Sequence, residues 1–252
     1  VKFKLLIEYC GTNYSGWQKQ GKDTKIKTVQ GTLIKAIETV FKKNKGNNKF
    51  IDLQGAGRTD AGVHALEQTA HLECETMLGP EILKMKINDE LPSDINILDI
   101  KKASKNFHAR HDAKSRQYVY VISKRRTAFE KRYVWWIKDK LDVNKMKEAA
   151  KLFEGMHDFR AFTDDEADDK STKCLIEKLE ISEDENKIYI RIKASHFLWK
   201  MVRRITGVLA EAGRGNIDTN TIKDLLNKNK SGLNIAKFTA PPSGLFLEKA
   251  EY

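Results

Sequence analysis

Gly55-Ala56-Gly57-Arg58-Thr59-Asp60-Ala61-Gly62-Val63-His64 sets one carboxylate, Asp60, beside an arginine and a threonine in a stretch with three glycines. Glycine admits positive φ and lets another segment approach its backbone closely. A carboxylate carried on such a turn is displayed toward a cleft instead of being lost on a solvated face. A tight turn bearing an ordinary surface Asp is the competing reading, by the usual turn chemistry. The flanks help to decide. Phe50 to Leu53 leads into the turn, and Gln68 to Cys74 leaves it with Thr69, His71 and Glu73 in alternation. The turn therefore joins two extended segments of a sheet.

Working outward, Lys2 to Tyr9 alternates, with Phe3, Leu5, Ile7 and Tyr9 on one face, and reads as a strand. Gly11 to Gly21 is a polar, glycine-punctuated loop containing Tyr14 and Trp17. From Thr28 to Phe41, Val29, Leu33, Ala36, Ile37, Val40 and Phe41 recur at helical spacing behind an N-capping Thr28. Pro80 to Leu91 predicts a short helix ended by Pro92, and Ile95 to Ile100 a strand. Arg116 to Ser123 predicts a strand with Tyr118, Tyr120 and Ile122 on one face. Asp142 to Glu154 predicts a helix capped by Asp142 and stopped by Gly155. Leu175 to Ile181 and Ile188 to Ile192 read as paired strands. Trp199 to Ala212 reads as a helix ending at Gly213, Thr219 to Asn227 as another, and Leu245 to Tyr252 as a closing strand. The order lacks the βαβ rhythm of a doubly wound fold. It predicts an α+β protein of two similar lobes, 1–106 and 107–252, with mainly antiparallel sheets flanked by helices.

The 252 residues suffice for a sizeable hydrophobic core. No run approaches the ~18 apolar residues a membrane span needs. The opening Val1-Lys2-Phe3-Lys4 alternates like a strand, unlike an export segment. Three scattered cysteines, Cys10, Cys74 and Cys174, imply reduced thiols and a cytoplasmic setting. The 46 basic and 35 acidic residues leave a net charge of +11. Lys101 to Lys140 holds thirteen Lys or Arg against Asp112, Glu130 and Asp139, so +10 sits in one window. That is an electrostatic footprint for a polyanion, or a solvated lysine-rich face. Tyr118, Tyr120, Tyr133, Trp135 and Trp136 are interleaved with it, suited either to base stacking or to a strand core. The acids of Asp164 to Asp169 read as a mobile solvated loop.

Several chemistries are excluded. The glycine run lacks a P-loop lysine and the third glycine of a dinucleotide fingerprint. His64, His71 and Cys74 lack the spacing of a zinc ligand set, so structural histidines are expected and no metal. The zinc deaminase pattern is absent. His108 and His111 read as RNA-facing or structural. The acidic loop is too contiguous for a nuclease metal site.

The Asp60 stretch resembles the catalytic loop of the TruA family of tRNA pseudouridine synthases. Four other segments extend the likeness to nearly the whole chain. Gly11-Thr-Asn-Tyr-Ser-Gly-Trp-Gln18 is similar to that family's N-terminal loop. Phe107-His-Ala-Arg110 with Arg116-Gln-Tyr118-Val-Tyr120 is similar to its strand bearing a substrate-contacting tyrosine. Phe197-Leu-Trp-Lys-Met-Val-Arg203-Arg204-Ile-Thr-Gly207 is similar to its active-site arginine helix, and Pro242-Ser-Gly244-Leu245-Phe-Leu247 to its C-terminal motif. Lys200 departs from the small polar residue many bacterial members carry.

The resemblance implies an isomerase that turns uridine into pseudouridine on the 3′ side of the tRNA anticodon arm, with no cofactor. It implies a homodimer, no membrane association and an active-site cleft between the lobes. Asp60 is then catalytic, as nucleophile or as base. Tyr118 contacts the flipped base, Arg203 partners Asp60, Arg58 holds RNA, and Leu245 packs on the uracil, although Leu245 reads equally as a core leucine. The alternatives are a synthase acting on another RNA and a non-catalytic RNA-binding module.

Overall fold

A computed structural model describes residues 1–21, 26–164, 171–227 and 232–252. In chain order the elements are β1 (Lys2–Tyr9), α1 (Val29–Lys43), β2 (Lys49–Gly55), β3 (His64–Glu75), α2 (Pro80–Glu90), β4 (Ile95–Lys102), β5 (Ser115–Ser123), β6 (Trp135–Trp136), α3 (Val143–Lys151), β7 (Gly155–Asp158), β8 (Lys173–Glu183), β9 (Lys187–Ala194), α4 (Met201–Arg214), α5 (Thr219–Leu226) and β10 (Leu245–Glu251). The fold is α+β with mainly antiparallel pairing, as the sequence predicts. No described helix is long and apolar enough to cross a membrane.

The chain divides into two compact units, residues 1–114 with 247–252, and residues 115–246. The first unit has strand order β4-β1-β3-β10, with β2 also pairing β3. Phe3, Leu5, Ile7 and Tyr9 of β1 are buried, which is the alternation read from sequence. β1 runs antiparallel to β3, Lys4 opposite His71 and Leu6 opposite Thr69. α1 begins where Thr28 Oγ1 accepts the Gly31 N–H at 3.2 Å. Its buried stripe is Val29, Leu33, Ala36, Ile37 and Val40. Covering a leucine or isoleucine of that stripe contributes about 1.5–3 kcal/mol.

The second unit has strand order β5-β9-β8-β7, with β6 pairing β5 in parallel. Tyr118 of β5 stands opposite Ile192 of β9, and Leu179 of β8 opposite the same Ile192. α3 is capped by Asp142, whose carboxylate accepts from the Asn144 and Lys145 N–H groups at 3.0 and 3.1 Å. This helix stops at Lys151, short of the expected Glu154. Gly155, at φ +99°, opens β7.

A second boundary moves as well. α4 starts at Met201, two residues after the expected Trp199, because Lys200 at φ 62° is left-handed and breaks the helix before it. Gly213 lies inside this helix and does not end it. A Cβ there would come within 2.8 Å of Met146 Cγ, so this glycine serves close packing of α4, and the left-handed cap is Gly215. Of the interleaved aromatics, Tyr120 is wholly buried and meets Trp135 edge to face at 6.2 Å, which are core roles. The acidic stretch falls outside the described residues except for Asp164, which pairs with Lys200 at 2.6 Å and with Arg204.

Candidate active site

The Asp60 turn is held from behind by the Gly11–Gln18 loop. The Trp17 N–H donates to the Thr59 carbonyl at 3.0 Å, and the Gly62 N–H to the Tyr14 carbonyl at 3.2 Å. Asp60 itself closes the turn, its carbonyl accepting the Val63 N–H at 3.1 Å, while Gly62 takes φ +79°. The two segments approach so closely that only glycine fits. A Cβ on Gly16 would lie 2.5 Å from the Thr59 carbonyl oxygen, and one on Gly11 would lie 1.9 Å from that of Val63. Those contacts bracket Asp60 on both sides in sequence. Backbone pairing of this kind satisfies amides that a buried turn would otherwise orphan.

Side chains add further fixings. Thr59 Oγ1 and the Tyr9 hydroxyl share a hydrogen bond of 2.8 Å. Gln68 takes both backbone groups of Gly57, donating to its carbonyl at 2.8 Å and accepting its N–H at 3.4 Å. The Tyr14 hydroxyl donates to Asp94 Oδ1 at 2.5 Å, and burial followed by that carboxylate pushes the phenol well above its ordinary value. The loop also satisfies the start of α1, because the Gly16 and Trp17 carbonyls accept from the Val29 and Gln30 N–H groups. Helix, loop and turn therefore form one hydrogen-bonded unit. On it Thr59 is buried, Asp60 half-buried and Arg58 exposed. The Arg58 Nε–H donates to Gln18 Oε1 at 3.1 Å.

Three histidines accept backbone hydrogen bonds. His64 Nδ1 accepts the Gly11 N–H, and His71 Nδ1 accepts the Ala109 N–H, each at 3.1 Å. His108 Nδ1 accepts from the Arg110 and His111 N–H groups, closing the turn after Phe107. No metal-ligating cluster of His, Cys, Asp or Glu occurs among the described residues.

The second unit gathers Tyr118, Arg203 and Leu245 around β5. Tyr118 and Tyr120 are two apart in the strand and share that face. Tyr118 is 7 % exposed, its ring edge-to-face with Phe197 at 5.0 Å. Phe197 lies just ahead of α4, which carries Arg203. The Arg203 Nε–H donates to the Ala240 carbonyl at 2.7 Å, and the Arg203 carbonyl accepts the Ala240 N–H at 3.1 Å. One residue on, the Pro241 carbonyl accepts the Tyr120 hydroxyl at 2.7 Å. Burial pushes that phenol well up, and only the nearby Arg203 opposes the shift. Gly244 lies against the Tyr120 ring, where a Cβ would approach to 2.7 Å, and Leu245 follows it, buried. Arg203, Tyr120 and the segment ending at Leu245 thus form one assembly. Tyr120, Gln68 and Gln30 are the supporting residues that sequence patterning did not single out. Of these only Tyr120 carried a signal, its place two residues from Tyr118.

The family model described as tRNA pseudouridine synthase matches residues 5–112 and 149–252. Proteins named tRNA pseudouridine synthase A from Thermodesulfovibrio yellowstonii and tRNA pseudouridine synthase A 2 from Clostridium tetani are similar. The first is 37 % identical over 100 % of both chains, the second 39 % over 99 % of this chain and 98 % of its own. A Bacillus cereus protein named tRNA pseudouridine synthase A 2 is 37 % identical over 99 % of both. Among solved structures, one described as an H/ACA RNP bound to a substrate RNA containing 2′-deoxyuridine aligns at a TM-score of 0.33. It shares 11 % identity over 96 % of this chain and 59 % of that one, too low a likeness to carry weight.

Proposed function

The chain belongs to the tRNA pseudouridine synthase family, and on that premise we propose that Asp60 is its catalytic carboxylate and that the substrate uridine lies in the tRNA anticodon arm. The protein is an isomerase acting on tRNA uridine. In that reaction the N1–C1′ glycosidic bond breaks, the uracil turns, and a C5–C1′ bond forms. The C5 proton is lost and N1 gains one, so product and substrate are isomers. Nothing is oxidised or reduced.

The observation that supports Asp60 is its backbone. The carboxylate stands on a turn fixed on both sides by glycine-only contacts and fastened to the start of α1. Catalytic groups need to be held within a fraction of an ångström, and a turn that cannot shift provides that. The proposed roles of the other residues follow the resemblance. Tyr118 contacts the flipped base, Arg203 partners Asp60, Arg58 binds the RNA backbone or the flipped nucleotide, and Leu245 excludes water from the uracil. Unstacking the target nucleotide costs roughly a few kcal/mol, which contacts of this kind offset. The basic window Lys101 to Lys140 is suited to phosphates, with binding that weakens steeply as salt rises. The homodimer and the cytoplasmic setting are part of the same proposal.

The test incubates the protein with an unmodified tRNA transcript and maps pseudouridine by chemical labelling, beside Asp60→Asn. Labelling is expected in the anticodon arm and is expected to vanish in the variant, a loss of at least about a thousandfold, while tRNA binding persists. Retained activity in Asp60→Asn removes Asp60 from the chemistry. Labelling at another position removes the anticodon-arm assignment and leaves the enzyme.

A further inference from the structure

Two flexible features of the second unit are required by the proposed chemistry to be still: the arginine side chain of Arg203 and the irregular segment before Leu245. Each alone would be free to move. Arg carries among the largest rotamer entropies of any side chain. The residues from Ile235 to Gly244 form only two short 3₁₀ turns.

The structure ties both to the same two peptide units. Arg203 uses its Nε–H and its own carbonyl on Ala240. Tyr120 puts its hydroxyl on the next carbonyl, Pro241, a residue that has no N–H of its own to anchor. The ring beneath that hydroxyl is wholly buried between Trp135 on one side and Gly244 on another. Gly207 lets α4 come against the Phe238 carbonyl, where a Cβ would stand 1.6 Å away. Ser243 Oγ donates to the Val134 carbonyl at 3.1 Å, holding the same segment from its far end.

We propose that Tyr120 is a positioning residue for the isomerisation: its hydroxyl on Pro241 fixes the segment that sets both the Arg203 side chain and the Leu245 side chain. This rests on the reading of Arg203 and Leu245 as substrate contacts. Tyr120 itself, wholly buried, acts through them. Two residues along the same face of β5, Tyr118 packs on Phe197 ahead of α4. One strand face thereby sets the spacing between the expected base contact, the arginine and the leucine.

Tyr120→Phe removes the hydroxyl and keeps the ring against Gly244. We measure its single-turnover rate on tRNA at saturating enzyme, its tRNA affinity and its thermal melt, alone and combined with Leu245→Ala. The rate is expected to fall about tenfold with affinity within about twofold of wild type, since a displaced contact acts on rate before binding. In the double variant the loss of the hydroxyl is expected to add little to that of Leu245→Ala, because both act through one segment. A rate within about twofold of wild type overturns the proposal. So does a fully multiplied loss in the double variant, or a rate loss matched by an equal loss of folded protein in the melt. Wild-type protein that binds tRNA and makes no pseudouridine overturns the functional reading, and this proposal with it. An active wild type with an unaffected Tyr120→Phe overturns this proposal alone.

Discussion

The Asp60 turn and the Arg203–Leu245 assembly solve the same problem, holding a group still, by different means. The turn is made rigid by backbone on backbone, with glycines at Gly11, Gly16 and Gly62 letting two loops touch. The assembly is made rigid by side chains reaching carbonyls, Arg203 to Ala240 and Tyr120 to Pro241, across intervals of 37 and 121 residues. The first kind leaves a trace in the sequence, as two glycine-punctuated runs at 11–21 and 55–62. The second leaves none, because any hydrogen-bonding side chain can reach any carbonyl and only the fold says which.

The largest expected effect tests the shared dependence on close approach. Gly11→Ala in the first unit and Gly207→Ala in the second each drive a Cβ into a backbone oxygen, at 1.9 and 1.6 Å. Each is expected to destabilise by about 3 kcal/mol or more, read by denaturant unfolding. The comparison breaks if either is tolerated within about 1 kcal/mol, since that unit's rigidity would then not depend on its glycine.

A smaller effect probes the first unit by pH. Burial first, then His108 and Lys2, hold the His71 imidazole below its ordinary 6.5, against the weaker pull of Asp52 and Glu73. Its Nδ1 must also stay unprotonated to accept the Ala109 N–H. The unfolded chain takes up the proton more readily. The contribution is therefore complete above the ordinary value and is lost as pH falls through 6.5 toward the lower folded value. Thermal melts from about pH 7.5 to about pH 5.5 should show the wild type losing several degrees more than His71→Asn. Equal losses would remove His71 from the acid response of the first unit.

The smallest effect lies at the entrance to α4. Lys200 is the one described non-glycine residue with positive φ, a conformation costing roughly 1–2 kcal/mol. Its amine meets Asp164, an exposed pair of about 0–1 kcal/mol. Lys200→Gly relieves the first and loses the second, so the melting temperature should rise by about 2 °C. A fall would mean that the Asp164 contact outweighs the backbone strain and helps to orient Arg203.

What was legible in the sequence follows the same division. Strict alternation in Lys2 to Tyr9 and helical spacing from Val29 to Phe41 placed β1 and α1 closely, because each buries one face against one core. The ends of α3 and α4 lie at Lys151 and Arg214, not at the glycines that mark them in sequence. Gly213 serves packing against Met146, and the true break before α4 is a lysine in a conformation that lysine seldom adopts. Asp60 stood out because its glycines are its neighbours. Tyr120 reads in sequence as a strand or stacking aromatic, and nothing there points to the carbonyl its hydroxyl meets 121 residues away.

The sheet of the first unit is interrupted in sequence. Four of its strands lie before residue 103, yet the fifth, beside β3, arrives with residues 247–251. On the ribosome the Asp60 turn and its glycine contacts can form early, while β3 still waits for a neighbour that the entire second unit precedes. Until then the part of β3 before Ala70, which β2 does not cover, is an open sheet edge, the kind that recruits stray strands. Translation order thereby couples completion of the acid-bearing unit to passage of the arginine-bearing one.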